Sequence, residues 1–434
     1  MNANLATGGQ GGSVESAAGE GRYHSLDALR AFALLLGVVF HAAESFEPGV
    51  GRYWAIEDCS TSELIGLFRH ACHSFRMEIF FLIAGFFARL VLQRRGLNAF
   101  IRNRVSRILV PLLVGWVILY PVLVYLWLRG AMSSGRLAMF GVPSELSGTP
   151  PSLLTLGFFA TLQFIQKFDL THLWFLHQLL VIYVVFLGLR AVWWRWSDPM
   201  GSWLGRGERG FAMLCTCRGI TFVLAATTTP MLMLMDSWSV DTPKSSILPY
   251  LPTTLLYGFQ FGVGWLLHRQ PNLLERLAKY WRGNLLLGAL LVLPTGAGVD
   301  WLRQWGWLPS GPALRWSYEA LYALMMWSFV LGFLGLFVRF RRSPSPRWRY
   351  VADASYWVYL VHLPLVVSLQ VLVGRWPASW VWKYPLILLV ALPLLFVSYH
   401  YLVRSTFIGA QLNGRKYPRK NRVVSARTTE AGVQ

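Results

Sequence analysis

Arg30 and His41 frame the first long apolar run of the chain, with ten residues between them. Eleven residues of helix make about three turns and about 16 Å, and at about 100° per residue the chain returns nearly to the same face. His41 thus projects toward whatever interior Arg30 faces, near the opposite end of the run. Asp27 stands three residues before Arg30, on the same helix face, where the two can pair. Imidazole suits removal of a proton from a hydroxyl near neutral pH. A lone histidine at the end of an apolar run is as readily a satisfied bundle residue, but His41 has company. The next run opens with His70, His73, Arg76 and Glu78, and a later one with His172-Leu173-Trp174-Phe175-Leu176-His177. With the topology given below, His41, His73 and His172 fall at one depth, either around one cavity or by chance.

The charged residues near these histidines admit two readings each. Glu78 or Asp27 would orient or charge-tune a base at His41. Arg76 either compensates Glu78 or holds an anionic substrate group. His362 lies deeper, as a cavity residue or a helix–helix hydrogen bonder, and Pro364 beyond it frees a backbone carbonyl. Arg102, Arg104 and Arg107 either anchor a helix at an interface or form a phosphate clamp for a nucleotide-bearing donor. Walker-type loops, GxSxG and HExxH are missing from the sequence, and no metal site is expected. Cys215 and Cys217 are two apart in an apolar helix and so point in different directions. A Cys59–Cys72 pair is allowed by position but otherwise unsupported. Gly262 and Gly264 read as small residues for close helix packing rather than as a nucleotide loop.

The elements that must position these groups are membrane helices. Of 434 residues, 55% are apolar and only 14% charged, against about 25% charged in soluble domains. Apolar runs of roughly 20 residues recur, each long enough to cross a hydrocarbon layer of about 30 Å. They predict an all-α polytopic bundle of about ten spans, near 25–43, 72–92, 107–128, 172–194, 213–235, 250–268, 284–300, 318–339, 354–374 and 385–404. Ionisable residues inside such spans cost roughly 2.5–3.5 kcal/mol each, so each carries a functional hypothesis. The net charge of +20 is mostly topology: basic groups cluster at 94–107, 339–349 and 404–427, which puts both termini in the cytoplasm. Nucleic acid is not an expected partner.

Residues 1–22 read as a disordered cytoplasmic leader rather than a cleaved signal, 23–405 as one membrane domain, and 406–434 as a basic cytoplasmic tail suited to anionic headgroups. The stretches 44–71 and 129–171 are expected outside and 195–212 inside, with Leu153–Phe164 as an interfacial or re-entrant helix. No internal repeat of the kind found in inverted-repeat transporters is evident.

Several motifs together resemble the membrane acyltransferase type 3 family. They are Arg30-(ten residues)-His41, His73-Ser74-Phe75-Arg76-Met77 with Phe80-Phe81-Leu82-Ile83-Ala84-Gly85-Phe86-Phe87, and Arg104-x-x-Arg107 before Pro111. His172-Leu173-Trp174-Phe175-Leu176 and Ala354–Pro364 extend the resemblance over most of residues 25–405. Within the family the chain looks most like the periplasmic glucan biosynthesis protein C branch, although Ala84 stands where members commonly have Ser. The resemblance implies an enzyme of the bacterial inner membrane that moves a succinyl group from cytoplasmic acyl-CoA to glucose units of a periplasmic glucan. It implies His41 as base with Arg30 as its motif partner, and Arg104 and Arg107 on the acyl-CoA side; His73, Arg76, His172, Trp174 and His362 are the candidate substrate contacts, with Arg102 a further candidate for acyl-CoA. Acyl-CoA is expected as co-substrate, with no permanently bound cofactor. Direct transfer is expected, since no serine or cysteine nucleophile stands out. The alternatives are acetyl transfer to another surface glycan, a glycan or lipid transporter or flippase, and a sensor or scaffold without chemistry.

Overall fold

A computed structural model describes residues 23–134 apart from 55, 169–195, 209–213, 219–299 apart from 244, 270 and 271, 311–414 apart from 342, and 417. Every regular element among them is helical. In chain order these are α1 (His24–Ala43), α2 (Glu63–Arg104), α3 (Val110–Ser133), α4 (Trp174–Arg195), α5 (Ile220–Leu232), α6 (Leu251–Arg269), α7 (Asn272–Ala278) and α8 (Trp281–Leu293). They continue as α9 (Pro312–Phe340), α10 (Pro346–Val373), α11 (Trp380–Ser398) and α12 (Phe407–Asn413). The leader, most of the tail, the expected Leu153–Phe164 helix and Cys215 and Cys217 lie outside the described residues. Cys59 and Cys72 are both free thiols, the first exposed and the second buried.

Among the described residues six helical segments are long and apolar enough to cross a membrane, one of which, Glu63–Ser133, runs through the expected second and third spans. The expected fifth and seventh spans are shorter as helices: α5 covers 13 residues, and α8 reaches Gly298 only through a π-helical turn, Pro294–Gly298. Outward-facing Val117, Ile118, Val184, Leu189, Leu290 and Leu389 are exposed, as lipid-facing residues must be. α9 is the central helix, with 78% of its apolar window buried.

α2 overruns its expected range at both ends. Ser62 caps it, accepting from the Leu64 amide, and its first two turns bring Arg69 and His70 into the helix. At the other end Gly96 takes φ +74, a left-handed conformation that glycine adopts without a Cβ penalty, and redirects the helix between Arg95 and Arg102. The chain then passes through a π-helical turn, Val105–Leu109, straight into α3. That turn is held from outside: the Tyr356 hydroxyl donates to the Arg107 carbonyl, and Gln411 Nε2 donates to the Ser106 carbonyl at 2.6 Å. Arg102, Arg104 and Arg107 thus sit on helix rather than on a loop, because the backbone stays bonded through both irregularities.

α2 and α6 meet backbone to backbone. A Cβ on Gly85 would strike the Phe261 carbonyl, and one on Gly264 would strike the Leu82 carbonyl. The expectation of close packing therefore holds for Gly264, whereas Gly262 has open space around it. On the side carrying the C-terminus of α1, residues 44–62 fold down as two short 3-10 turns, Glu44–Phe46 and Val50–Arg52. Asp58 pairs with Lys383 of α11 at 2.8 and 2.9 Å, both side chains only 1% exposed. The Trp380 amide donates to Ser60 Oγ, and Trp54 Nε1 to Gln370 Oε1.

Candidate active site

His41 occupies the last turn of α1, where the Glu44 amide caps its carbonyl. Side chains of other helices add further donors. Gln370 Nε2 of α10 donates to the His41 carbonyl at 2.8 Å and to that of Ala42 at 3.3 Å, while the Tyr384 hydroxyl donates to Val39. The same Gln370 accepts from Trp54, whose indole lies stacked on the His41 ring at 6.4 Å. The chain then turns into the Glu44–Phe46 3-10 segment, placing Glu44 three residues beyond His41. His41 Nδ1 donates to Glu44 Oε2 at 2.8 Å. With the proton of Nδ1 committed to a carboxylate, Nε2 carries the lone pair. Glu44 Oε1 in turn accepts from Arg69 Nη2 at 3.3 Å, and Arg69 also pairs with Glu47 and reaches the Tyr53 hydroxyl.

His172 is set by a different device. Thr171 has φ +50, a strained conformation for a β-branched residue, and its amide donates to the Asp169 carboxylate. The strained turn directs the His172 ring at α10. There Pro364, lacking an N–H, leaves the Leu360 carbonyl without its helical partner, and His172 Nε2 donates to it at 3.0 Å. The Tyr359 hydroxyl donates to the His172 carbonyl at 2.8 Å. His362 Nδ1 donates to the Tyr359 carbonyl, leaving Nε2 buried and unpaired. The His362 ring lies 5.3 Å from that of His41 and 5.3 Å from that of His172, within reach of both.

These rings line one cavity of about 650 Å³. His41, His73, Arg76, His172, Trp174 and His362 all face it, so six of the residues picked from sequence converge. Glu44, Arg69, His70, Trp54, Tyr257 and the segment 237–242 line it too and were not picked. For Glu44 a signal existed: His41-x-x-Glu44 is the spacing of one helical turn, hidden only by ending the helix at 43. Among the described residues no group of three His, Cys, Asp or Glu converges to hold a metal ion.

Two expectations need correction. Neither Glu78 nor Asp27 touches His41. Glu78 is fully buried off the cavity, within electrostatic reach of Tyr257 and Tyr322, because it follows Arg76 by two residues and so faces another side of α2. Asp27 pairs with Arg30 at 3.6 Å, three turns from His41, as their spacing predicts. Arg76 forms no contact ion pair with Glu78, although the two lie within electrostatic reach of each other. Arg30 itself does not line the cavity but gathers with Arg95, Arg104 and Arg107 at the far end of the bundle. Arg104 stacks its guanidinium over Phe100 and Tyr183 at 4.8 and 5.0 Å, and Arg102 points outward, exposed.

The fold and cavity define a multi-pass membrane protein whose polar groups converge on a histidine-lined cavity. A family model described as an acyltransferase domain matches residues 23–400, and the chain belongs to that family and is an acyltransferase. It is similar to proteins named glucans biosynthesis protein C from Salmonella schwarzengrund, Salmonella heidelberg and Salmonella typhi. With each it is 25% identical over 353 residues, which span 80% of this chain and 83% of the relative. No solved structure matches it.

Proposed function

We propose that the protein transfers an acyl group, succinyl in the first instance, from acyl-CoA to a hydroxyl of an extracytoplasmic glucan, across the bacterial inner membrane. The observation that carries this reading is the His41–Glu44 hydrogen bond at the wall of the cavity. The donor and acceptor follow the relatives' name and the resemblance described above.

In this reading the chain crosses the membrane about ten times, with both termini cytoplasmic, as the basic segments favour. The donor's phosphates dock on Arg104 and Arg107, with Arg102 and Arg30 close by. Its pantetheine arm leads the thioester into the cavity, and the sugar enters from the outer side against Trp54 and Trp174. His41 Nε2 takes the hydroxyl proton while Glu44 holds the ring and stabilises the imidazolium. The alkoxide attacks the thioester carbon, the C–S bond breaks, and the departing thiolate receives the proton from His41. His73, His172 and His362 hold the sugar hydroxyls in place.

The test uses sealed membrane vesicles, labelled succinyl-CoA and a linear glucan. Inverted vesicles loaded with glucan are expected to acylate it when succinyl-CoA is added outside. His41→Ala should lower the rate by about 10²–10⁴-fold, the range of general base catalysis. Undiminished labelling in that variant would sink the assignment. Uptake of unmodified glycan, without acylation, would favour a transporter instead.

A further inference from the structure

Arg76 projects from α2 into the cavity and is only 8% exposed. Its guanidinium lies over the Phe40 ring at 4.2 Å, on the residue preceding His41. Nη1 stands 3.5 Å from where a Cβ on Gly37 would be, so the group sits one turn below His41 on α1. It is within electrostatic reach of both His41 and Glu44. Yet Nε and Nη1 find no hydrogen-bond partner among the described residues.

The carboxylates that line the cavity are all engaged elsewhere. Glu44 accepts from His41 and Arg69, and Glu47 from Arg69 and Tyr53. Asp241 accepts from the Asp236 and Ser237 amides and from Tyr250. Glu78, the nearest acid in sequence, lies within electrostatic reach but accepts no hydrogen bond from the guanidinium. A desolvated guanidinium with free N–H groups is strongly unfavourable unless an anion completes it. Of the other donors around His41, His172 Nε2 and His362 Nδ1 are given to backbone carbonyls and the helix amides to their own ladders, while Trp127 Nε1 and Arg69 Nε also find no partner among the described residues.

Hydroxyl attack on a thioester develops negative charge on the carbonyl oxygen, and such charge needs N–H donors already in place in a water-poor site. We infer that Arg76 is a catalytic residue whose guanidinium binds the oxyanion of the tetrahedral intermediate, one helical turn below the base. The inference rests on the acyl-transfer reading. The vertical order fits that chemistry: the nucleophile meets His41 from the outer side, and the thioester carbonyl arrives at Arg76 from the donor side. As the O–C bond forms, the carbonyl π pair moves onto the oxygen held by Arg76. When that pair returns, the C–S bond breaks and the thiolate takes the proton from His41. Arg76 neither gains nor loses a proton.

The test compares the full-length protein with Arg76→Lys and Arg76→Ala, using succinyl-CoA and its uncharged isostere butyryl-CoA with the same glucan. Both variants are expected to lose about 10²- to 10³-fold in kcat with either donor, the range for loss of an oxyanion donor, with donor KM nearly unchanged. Guanidinium ion at millimolar concentration should restore part of the activity of Arg76→Ala and none of that of His41→Ala. That rescue separates a missing group from a misfolded chain. A loss confined to succinyl-CoA and expressed in KM would overturn the proposal in favour of a carboxylate-binding residue. Full activity in Arg76→Ala would overturn it outright. A wild-type protein inert with both donors would remove the acyl-transfer reading itself, and this role with it.

Discussion

At the residue scale the site rests on one committed proton. Glu44 accepts from His41 Nδ1, and Arg69 holds the other oxygen of the same carboxylate. Glu44 therefore has both of its oxygens fixed, and the imidazole cannot rotate without breaking a charge-assisted bond. Glu44→Gln keeps the shape but presents either an amide N–H or a weaker acceptor to Nδ1. It is expected to lower kcat for acyl transfer by about 10²-fold, at the lower end of general acid–base contributions, while the protein folds and binds donor normally. Steady-state rates in detergent, with a thermal melt as the folding control, check this. A rate within a factor of two of wild type would show that Glu44 is structural. The carboxylate was hidden in the sequence because Glu44 follows the apolar run and reads as part of a loop. The continuation of α1 into a 3-10 turn returns it to the histidine's side.

At the element scale, irregularities in helices do the positioning. Pro364 opens one carbonyl of α10 and His172 fills it, so a residue that weakens one helix orients a side chain from another. The left-handed Gly96 and the following π-helical turn carry Arg102, Arg104 and Arg107 on continuous backbone. The reciprocal Gly85 and Gly264 contacts bring α2 and α6 together, and through α2 they set the depth of His73 and Arg76. Gly264→Val is expected to force these helices apart and destabilise the bundle by about 1–3 kcal/mol, the range for overpacking. Gly262→Val, two residues away in open space, should change stability by far less. Detergent unfolding of the two variants side by side decides it, and equal destabilisation would contradict the packing account.

At the scale of the whole molecule, the segment after α1 is locked to the bundle by a buried ion pair. Asp58 and Lys383, 325 residues apart, are both almost fully enclosed. Removing one member leaves an uncompensated buried charge, for which about 3–5 kcal/mol is typical. Asp58→Asn and Lys383→Met are each expected to destabilise the protein by that order and to reduce acyl transfer, since the same segment carries Glu44 and Trp54. The double variant should recover most of the stability, because replacing both charges removes the desolvation penalty as well as the attraction. Additive losses in the double variant would exclude the coupling.

The sequence by itself determined the membrane class, the position of the helices and most of the cavity's histidines. Those follow from local quantities: apolar run length, the side of each basic cluster, and rotation along a helix. The Asp27–Arg30 pair was legible for the same reason, being an i,i+3 contact. What only the tertiary structure decided depends on distant chain segments. Gln370 capping the end of α1, the Pro364 carbonyl given to His172, and Lys383 reaching Asp58 each join residues far apart in sequence. The acid beside His41 fell between these cases. Its spacing was local, yet the choice among Glu44, Glu78 and Asp27 turned on which side of each helix the bundle encloses, and burial direction is a property of packing rather than of order along the chain.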